Sequence, residues 1–380
     1  MKFYKSFLGY LKFLKIKDNS KKKLVIYSES KNYRNYLIDI IESLSENEKY
    51  LVIYLTSDLQ DLVKINDKIE IVYIGDSFFR TILFAFLKCE LLIMTLTDLN
   101  HHTIKKSINC KKYIYLFHSL ISTHKGYTFN AFRDYDVILT NGDYQRREIL
   151  RAEEIYGFPS KKIINTGYPY LNFLKKNYIE NNNENKQRKI LFAPSWSKSK
   201  NNFFEEYIEK IIIELTNNEN YVILRTHPEV LKRYKKKLNY LDKIFSKNKN
   251  FELNTDLQNL DPLNKSNILL TDNGGMGLEY SYIHKKPVIF LNHIDKINNE
   301  KFNEIKIEPI EDKFKKEFGN IIDVKSYKII NSEIKKIYSS FDKKKYSNKV
   351  DLFFEENGII TKNQAENIKK AIDELLLGTK

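Results

Sequence analysis

The sequence predicts an α/β protein of two domains, each built on a parallel sheet, that face each other across a cleft, with helices at the C-terminus. Three observations lead there. From Lys22 onward, short apolar runs alternate with segments of helical period. The runs are apolar on both faces, as parallel strands covered by helices on both sides must be. The alternation breaks at one polar stretch, 175–188, rich in Asn, Glu and Lys, and then resumes. A chain of 380 residues is also long for a single hydrophobic core.

In the first half, strands are expected at 24–27, 51–55, 69–74, 90–94, 112–117, 137–140 and 163–166, and helices at 35–44, 81–87 and 143–154. In the second half, strands are expected at 189–193, 221–225, 251–253, 267–270 and 287–291, and helices at 203–215 and 276–283. The tail, 326–377, reads as two or three helices, and no internal repeat is visible. The expected division is therefore a basic amphipathic helix at 1–20, domains at 21–174 and 189–325 joined by the linker 175–188, and terminal helices at 326–380.

Hydrophobic residues make up 42% and aromatics 13%, enough to fill two cores. The two cysteines, Cys89 and Cys110, lie in or beside apolar runs and read as buried thiols in a reducing compartment. No apolar run is long enough to cross a bilayer, and the N-terminus lacks the pattern of a secretory signal. The formal charge is +15, from 64 basic and 49 acidic residues. Part of it is compositional, since Lys, Asn, Ile and Tyr abound while Gly and Pro are few. A positive surface still favours anionic partners. The excess is concentrated at the N-terminus, where Lys2, Lys5, Lys12, Lys15, Lys17, Lys21, Lys22 and Lys23 face a single acid, Asp18. On a helical wheel Phe3, Phe7, Tyr10, Leu11 and Leu14 share one face and Lys2, Lys5, Lys12 and Lys15 the other. Such a helix reads as an element for an anionic membrane surface. The plainer alternative is a helix docked on its own domain.

In open parallel sheets ligands bind beyond the carboxyl ends of the strands, so the residues just after each apolar run are the informative ones. After 112–117 comes His118-Ser119-Leu120-Ile121-Ser122-Thr123-His124-Lys125, where a histidine can act as a general base or serve as a structural imidazole. After 189–193 comes Pro194-Ser195-Trp196, either a phosphate contact and cleft lid or an ordinary turn. After 221–225 comes Arg225-Thr226-His227-Pro228, which can neutralise a diphosphate or form a structural salt bridge. After 267–270 comes Thr271-Asp272-Asn273-Gly274-Gly275, followed by a helix carrying Glu279. Glycines there let a backbone approach a phosphate, the helix start offers free N–H groups, and Glu279 is placed to reach a ribose. The sequence contains no P-loop, no CxxC, no HExxH and no GxSxG elbow, and His101-His102 reads as a surface pair rather than a metal site. No pattern supports nucleic-acid binding.

The order of these segments, with Thr140-Asn141-Gly142-Asp143-Tyr144 and Asn165-Thr166-Gly167-Tyr168-Pro169 between them, resembles the CDP-glycerol glycerophosphotransferase family of teichoic acid primases and polymerases, over roughly 110–295. The resemblance implies a GT-B fold, with an acceptor domain first and a nucleotide-donor domain second. It implies transfer of a polyol phosphate from a CDP-activated donor to a glycan or lipid-linked acceptor, with release of CMP. It makes His118 the base for the acceptor hydroxyl, with Ser119, His124 and Lys125 in the acceptor loop. It sets His227, with Arg225 and Ser195, against the donor's phosphates, gives Thr271, Asp272, Asn273, Gly274 and Gly275 as the phosphate loop, and turns Glu279 towards the ribose.

Two departures stand out. The family's His-Gly followed by Pro and Lys is replaced by His118-Ser119-Leu120, and Gly274-Gly275 stand where serines are usual. The first leaves a capsule or lipopolysaccharide acceptor open; the second brings phosphates nearer the backbone. No protein-bound metal or other cofactor is expected to be obligatory, and the expected place is the inner face of a bacterial cell membrane, from the cytoplasm. A glycosyltransferase of the same fold using a nucleotide sugar is the nearest rival, and a non-catalytic membrane- or polymer-binding module the rival of another class.

Overall fold

The computed structural model describes residues 2–18, 20–97, 99–100, 104–180, 187–196, 203–218, 220–272, 274–293 and 296–377. Asn273 and the pair His101-His102 lie outside the described residues.

Strands β1 (Lys22–Ser28), β2 (Tyr50–Thr56), β3 (Ile69–Tyr73), β4 (Cys89–Met94), β5 (Cys110–Leu116), β6 (Val137–Thr140) and β7 (Lys162–Asn165) form a parallel sheet in the order β3-β2-β1-β4-β5-β6-β7. Strands β8 (Lys189–Ala193), β9 (Tyr221–Arg225), β10 (Phe251–Asn254), β11 (Ile268–Thr271), β12 (Val288–Asn292) and β13 (Asn320–Asp323) form the second, in the order β10-β9-β8-β11-β12-β13, also parallel. Each expected strand is present. β13 was not anticipated, because Asn320-Ile321-Ile322-Asp323 is too short and too polar at its ends to stand out, and pairing with β12 makes it a strand.

The two-sided burial inferred from the apolar runs is real. Along β1 and β2, Val25, Tyr27, Ile53 and Leu55 pack into one core, while Leu24, Ile26, Val52 and Tyr54 pack into another on the opposite face. In the second sheet Ile190, Phe192, Val222 and Leu224 fill one face and Leu191, Ala193, Ile223 and Leu269 the other. Each fully buried Leu or Ile contributes about 1.5–3 kcal/mol. The latter core also takes Leu120, Tyr144, Tyr168 and Leu171 from the first domain, so the two domains share apolar packing beside the cleft.

The helix Pro169–Lys176 runs into the polar stretch read as the linker, started by proline in its first turn and held by buried Tyr170, Leu171 and Leu174. The tail forms the helices Ile330–Ser340, Lys343–Glu356 and Gln364–Leu377. The last returns to the first domain, where Ile368, Ala371, Ile372, Leu375 and Leu376 join the core of Leu24 and Ile26. On the way back the chain passes Gly142: a Cβ there would lie 2.2 Å from the Gly358 carbonyl, and Ile360 N donates to Asn141 O at 3.0 Å.

The N-terminal helix, Lys2–Lys15, docks on the first domain through a face that overlaps the one the helical wheel singles out: Phe3, Phe7 and Tyr10 meet Phe79 at 4.9, 5.3 and 5.9 Å between centroids. Ser6 and Phe13 are buried, and at Gly9 a Cβ would stand 1.7 Å from Tyr73 O, so small residues let the helix press against edge strand β3. Lys12 bonds Ile71 O at 2.9 Å. Phe3, Tyr4, Phe7, Leu8 and Leu14 remain exposed, Phe3 by 61% and Tyr4 by 62%. Cys89 and Cys110 are free and buried, as expected. Among the described residues no helix is long and apolar enough to cross a membrane.

Candidate active site

The carboxyl ends of β1 and β5 in the first sheet face those of β8, β9 and β11 in the second, around a cavity of about 250 Å³. His118, Ser119, Lys125, Ser195, Arg225, His227, Thr271, Gly274, Gly275 and Glu279 all line it. His124 and Asp272 do not appear in its wall.

His118 stands two residues beyond β5. Tyr33 meets its ring edge-on at 5.4 Å between centroids, with Tyr36 and Tyr127 each at 6.3 Å. Its Nδ1 has no hydrogen-bond partner among the described residues. Burial, reinforced by the charge of Lys296, lowers its pKa to about 4. The imidazole is therefore neutral at pH 7, the form that accepts a proton. At that pKa it is a weak base, and an anionic ligand beside it raises its basicity.

His227 faces it from the other domain as the N-cap of the helix Pro228–Arg233. Its Nδ1 accepts from Glu229 N at 3.2 Å. That bond assigns the proton to Nε2, leaving a neutral N–H donor on the cleft side. Burial first, then Lys296, lowers its pKa to about 3, so the ring stays neutral.

Arg225 does not offer its guanidinium freely. Nη1 bonds Asn254 Oδ1 at 2.8 Å, Asp256 O at 3.3 Å and Asn259 O at 2.8 Å, and Nη2 bonds Leu257 O at 2.8 Å. A planar fork at the end of β9 is what gathers the carbonyls of the loop after β10. Its task in this structure is to hold that loop. Ser195 is engaged likewise: its N and Oγ donate to the Asp272 carboxylate at 2.7 and 2.9 Å. Thr271 Oγ1 donates to Ala193 O at 2.7 Å. Thr271, Asp272 and Ser195 thus tie the ends of β8 and β11 together, with Asp272 pushed upward in pKa by burial against the bonds from Ser195.

The two glycines meet different demands. A Cβ on Gly274 would touch only Ser195 Cβ, at 3.8 Å, so that side of the loop is open. A Cβ on Gly275 would fall 2.6 Å from Ser119 Oγ and 3.0 Å from Leu120 N. Gly275 is therefore where the two domains approach. Just after it begins the helix Met276–His284, whose first N–H groups and positive dipole end favour an anion in the cavity.

Glu279, on that helix, accepts from the Tyr168 hydroxyl at 2.9 Å, and the same hydroxyl lies 3.0 Å from His118 O. One phenolic proton cannot serve both acceptors. A protonated Glu279 resolves the conflict by donating to Tyr168, which donates to the His118 carbonyl. Burial raises the Glu279 pKa to about 7, in keeping with this. Glu279 thus braces His118 through Tyr168.

His124 is turned away from the cleft. Its Nε2 meets Ile307 O at 3.0 Å and its Nδ1 lies 3.5 Å from Glu148 Oε1. Burial opposes its charge, but Glu148 prevails and raises its pKa above the ordinary value. Ser122 donates N–H and O–H to Glu311, both at 2.8 Å, and Lys125 pairs with Asp312 at 2.5 Å. The 122–125 segment is a clasp between the domains, and only Ser119 and Lys125 of the expected acceptor loop reach the cavity.

The family model of CDP-glycerol:poly(glycerophosphate) glycerophosphotransferases matches residues 10–297. The chain belongs to this family. No curated protein matches it in sequence. Among solved structures it is similar to the wall teichoic acid polymerase TagF, with a TM-score of 0.59 at 17% identity over 98% of this chain and 97% of that one. It is also similar to a putative UDP-N-acetylglucosamine 2-epimerase from Listeria monocytogenes (TM-score 0.59, 14% identity, 95% and 98% covered). The UDP-GlcNAc 2-epimerase from Neisseria meningitidis is similar too (TM-score 0.56, 14% identity, 94% and 99% covered). These likenesses establish the GT-B fold, and family membership makes the chain a transferase.

Within this glycerophosphotransferase cleft several lining residues carry no motif. Tyr33, Tyr36 and Tyr170 form an aromatic wall on the first domain, and Lys296 and Glu311 enter from the second. Tyr33 and Tyr36 follow β1 and Lys296 follows β12. Applying the strand-end rule to every strand, rather than to those with recognisable motifs, would have found them.

Proposed function

We propose that the protein transfers glycerol phosphate, or a similar polyol phosphate, from a CDP-activated donor to a hydroxyl of a glycan or lipid-linked acceptor in cell-envelope polymer synthesis, with release of CMP. The observation that carries the reading is the pair of neutral histidines facing one another from opposite domains, His118 with a buried ring nitrogen that has no partner among the described residues and His227 with its N–H turned to the cleft. His118 takes the proton of the attacking hydroxyl, whose oxygen forms the new bond to the polyol-bearing phosphorus. The bond from that phosphorus to the bridging oxygen breaks in line, and CMP departs with the electron pair. His227 and the N–H groups at the start of Met276–His284 hold the charge on the phosphate oxygens. The reaction needs no resident metal in this reading, so chelation by EDTA leaves turnover unchanged.

The exposed Phe3, Tyr4, Phe7 and Leu8, flanked by Lys2 and Lys5, support a peripheral seat on the anionic inner face of the cell membrane. Phe3→Asp with Phe7→Asp is expected to abolish sedimentation with anionic vesicles and to lower the melting temperature only slightly, because both rings, though exposed, also pack against Phe79. Retained sedimentation would remove the helix as the anchor.

The deciding experiment is incubation with CDP-glycerol, CDP-ribitol and a panel of nucleotide sugars. Release of CMP is the expected result. Release of UDP or GDP without CMP would identify a glycosyltransferase of the same fold.

A further inference from the structure

Among the described residues lining the cleft, three are lysine or arginine: Lys125, Arg225 and Lys296. Two are already occupied, Lys125 by Asp312 and Arg225 by the 254–259 loop. Lys296 makes no hydrogen bond or ion pair with any described residue. It stands in the turn after β12, on the wall that also carries Glu311 and close to Asp272. Burial lowers the Lys296 pKa, and those carboxylates, bonded elsewhere (Asp272 to Ser195, Glu311 to Ser122), oppose that fall without using its donors. It lines the same cavity as His118 from one domain and His227 from the other, and its charge acts on both rings. A partly buried lysine with no partner among the described residues, lining the same cavity as the two histidines, is a binding point for a polyanion.

We propose that Lys296 is the cation that binds the donor's diphosphate, the task the sequence motif assigns to Arg225. The assignment rests on the transferase reading for the donor's identity. In the reaction, the ammonium meets the charge gathering on the departing CMP phosphate, while the imidazole of His118 stays free to take the acceptor's proton.

The test measures binding of inorganic pyrophosphate, CDP and cytidine by calorimetry. In Lys296→Met, pyrophosphate and CDP are expected to bind about ten- to hundred-fold more weakly, cytidine as in the wild type, and Lys296→Arg to recover most of the loss. Wild-type protein supplies a readout that needs no variant: pyrophosphate protects Lys296 from acetylation by acetic anhydride, read by peptide mass spectrometry. Unaltered pyrophosphate binding in Lys296→Met, or no protection in the wild type, overturns the assignment. CMP release from CDP-glycerol by wild-type protein judges the transferase reading separately. If Lys296→Met loses pyrophosphate binding while no CDP-linked donor is turned over, the lysine site stands and the donor's identity falls.

Discussion

The two walls of the cleft are built in opposite ways. The first-domain wall is aromatic: Tyr33 and Tyr36 stand against His118, whose Nδ1 has no partner among the described residues, and Tyr170 packs on Tyr36. The second-domain wall is a lattice of polar bonds, Arg225 into the 254–259 loop, Ser195 into Asp272 and Thr271 into Ala193. A wall whose polar groups already satisfy one another is rigid and preorganised, and presents to a ligand what is left over: backbone N–H groups, one imidazole N–H and one ammonium. A wall of rings around an unpartnered imidazole leaves that group available for proton transfer. In the proposed transfer, the contrast gives the chemistry to the first domain and the holding of charge to the second.

The sharpest way to break this division is His118→Ala. Turnover is expected to fall by about 10²–10⁴-fold with CDP affinity unchanged. Lost CDP affinity with turnover retained would reverse the walls. Next comes Arg225→Met, expected to act through stability. It abandons four oxygen acceptors around a buried position and costs about 3–5 kcal/mol in thermal or urea unfolding, with Arg225→Lys recovering little because a single ammonium cannot replace the fork. A variant of wild-type stability that had lost only CDP binding would return Arg225 to the ligand.

The brace behind His118 has its own pH signature. The Glu279 pKa is about 7 when folded against 4.5 for the free side chain. The folded state therefore binds the extra proton, and this contribution is complete below pH 4.5 and lost as pH rises through 7. His118 runs the other way. Its folded pKa of about 4 against 6.5 gives stability present above 6.5 and lost as pH falls through 4. Glu279→Gln should thus be more stable relative to wild type at pH 8 than at pH 4, by up to about 3 kcal/mol. A stability difference independent of pH would show that Glu279 does not titrate in this range. The smallest effect separates the neighbouring glycines. Gly275→Ala is expected to cost about 1–3 kcal/mol by forcing Ser119 and Leu120 away, while Gly274→Ala leaves the melting temperature unchanged and alters ligand affinity alone. Equal melting temperatures would mean that the domains do not meet at Gly275.

Much of this was legible in the sequence. Two-sided apolar runs disclosed the strands, and the residues immediately after β5, β8, β9 and β11 proved to line one cavity, because a parallel sheet delivers all its strand ends to the same edge. The N-terminal helix was legible as a helix but not in its docking. Gly9 and Ser6, small and unremarkable in a hydrophobic pattern, make the closest approach, and the larger Phe3 and Phe7 only edge the contact, exposed but against Phe79.

The sequence by itself determined the two sheets, their strand ends and the family, since each depends on local period and on motifs contiguous in the chain. Only the tertiary structure decided which of the strand-end groups are free. Arg225 and Ser195 have the right chemistry for a phosphate, yet each is taken by partners from another strand's loop, while Lys296, in no motif, has no partner among the described residues. It also decided that the last helix closes the first domain rather than the second. The physical reason is the same in each case. Hydrogen bonds and buried contacts are settled by distance in space, and the partners of these groups lie 29 to 77 residues or more away along the chain.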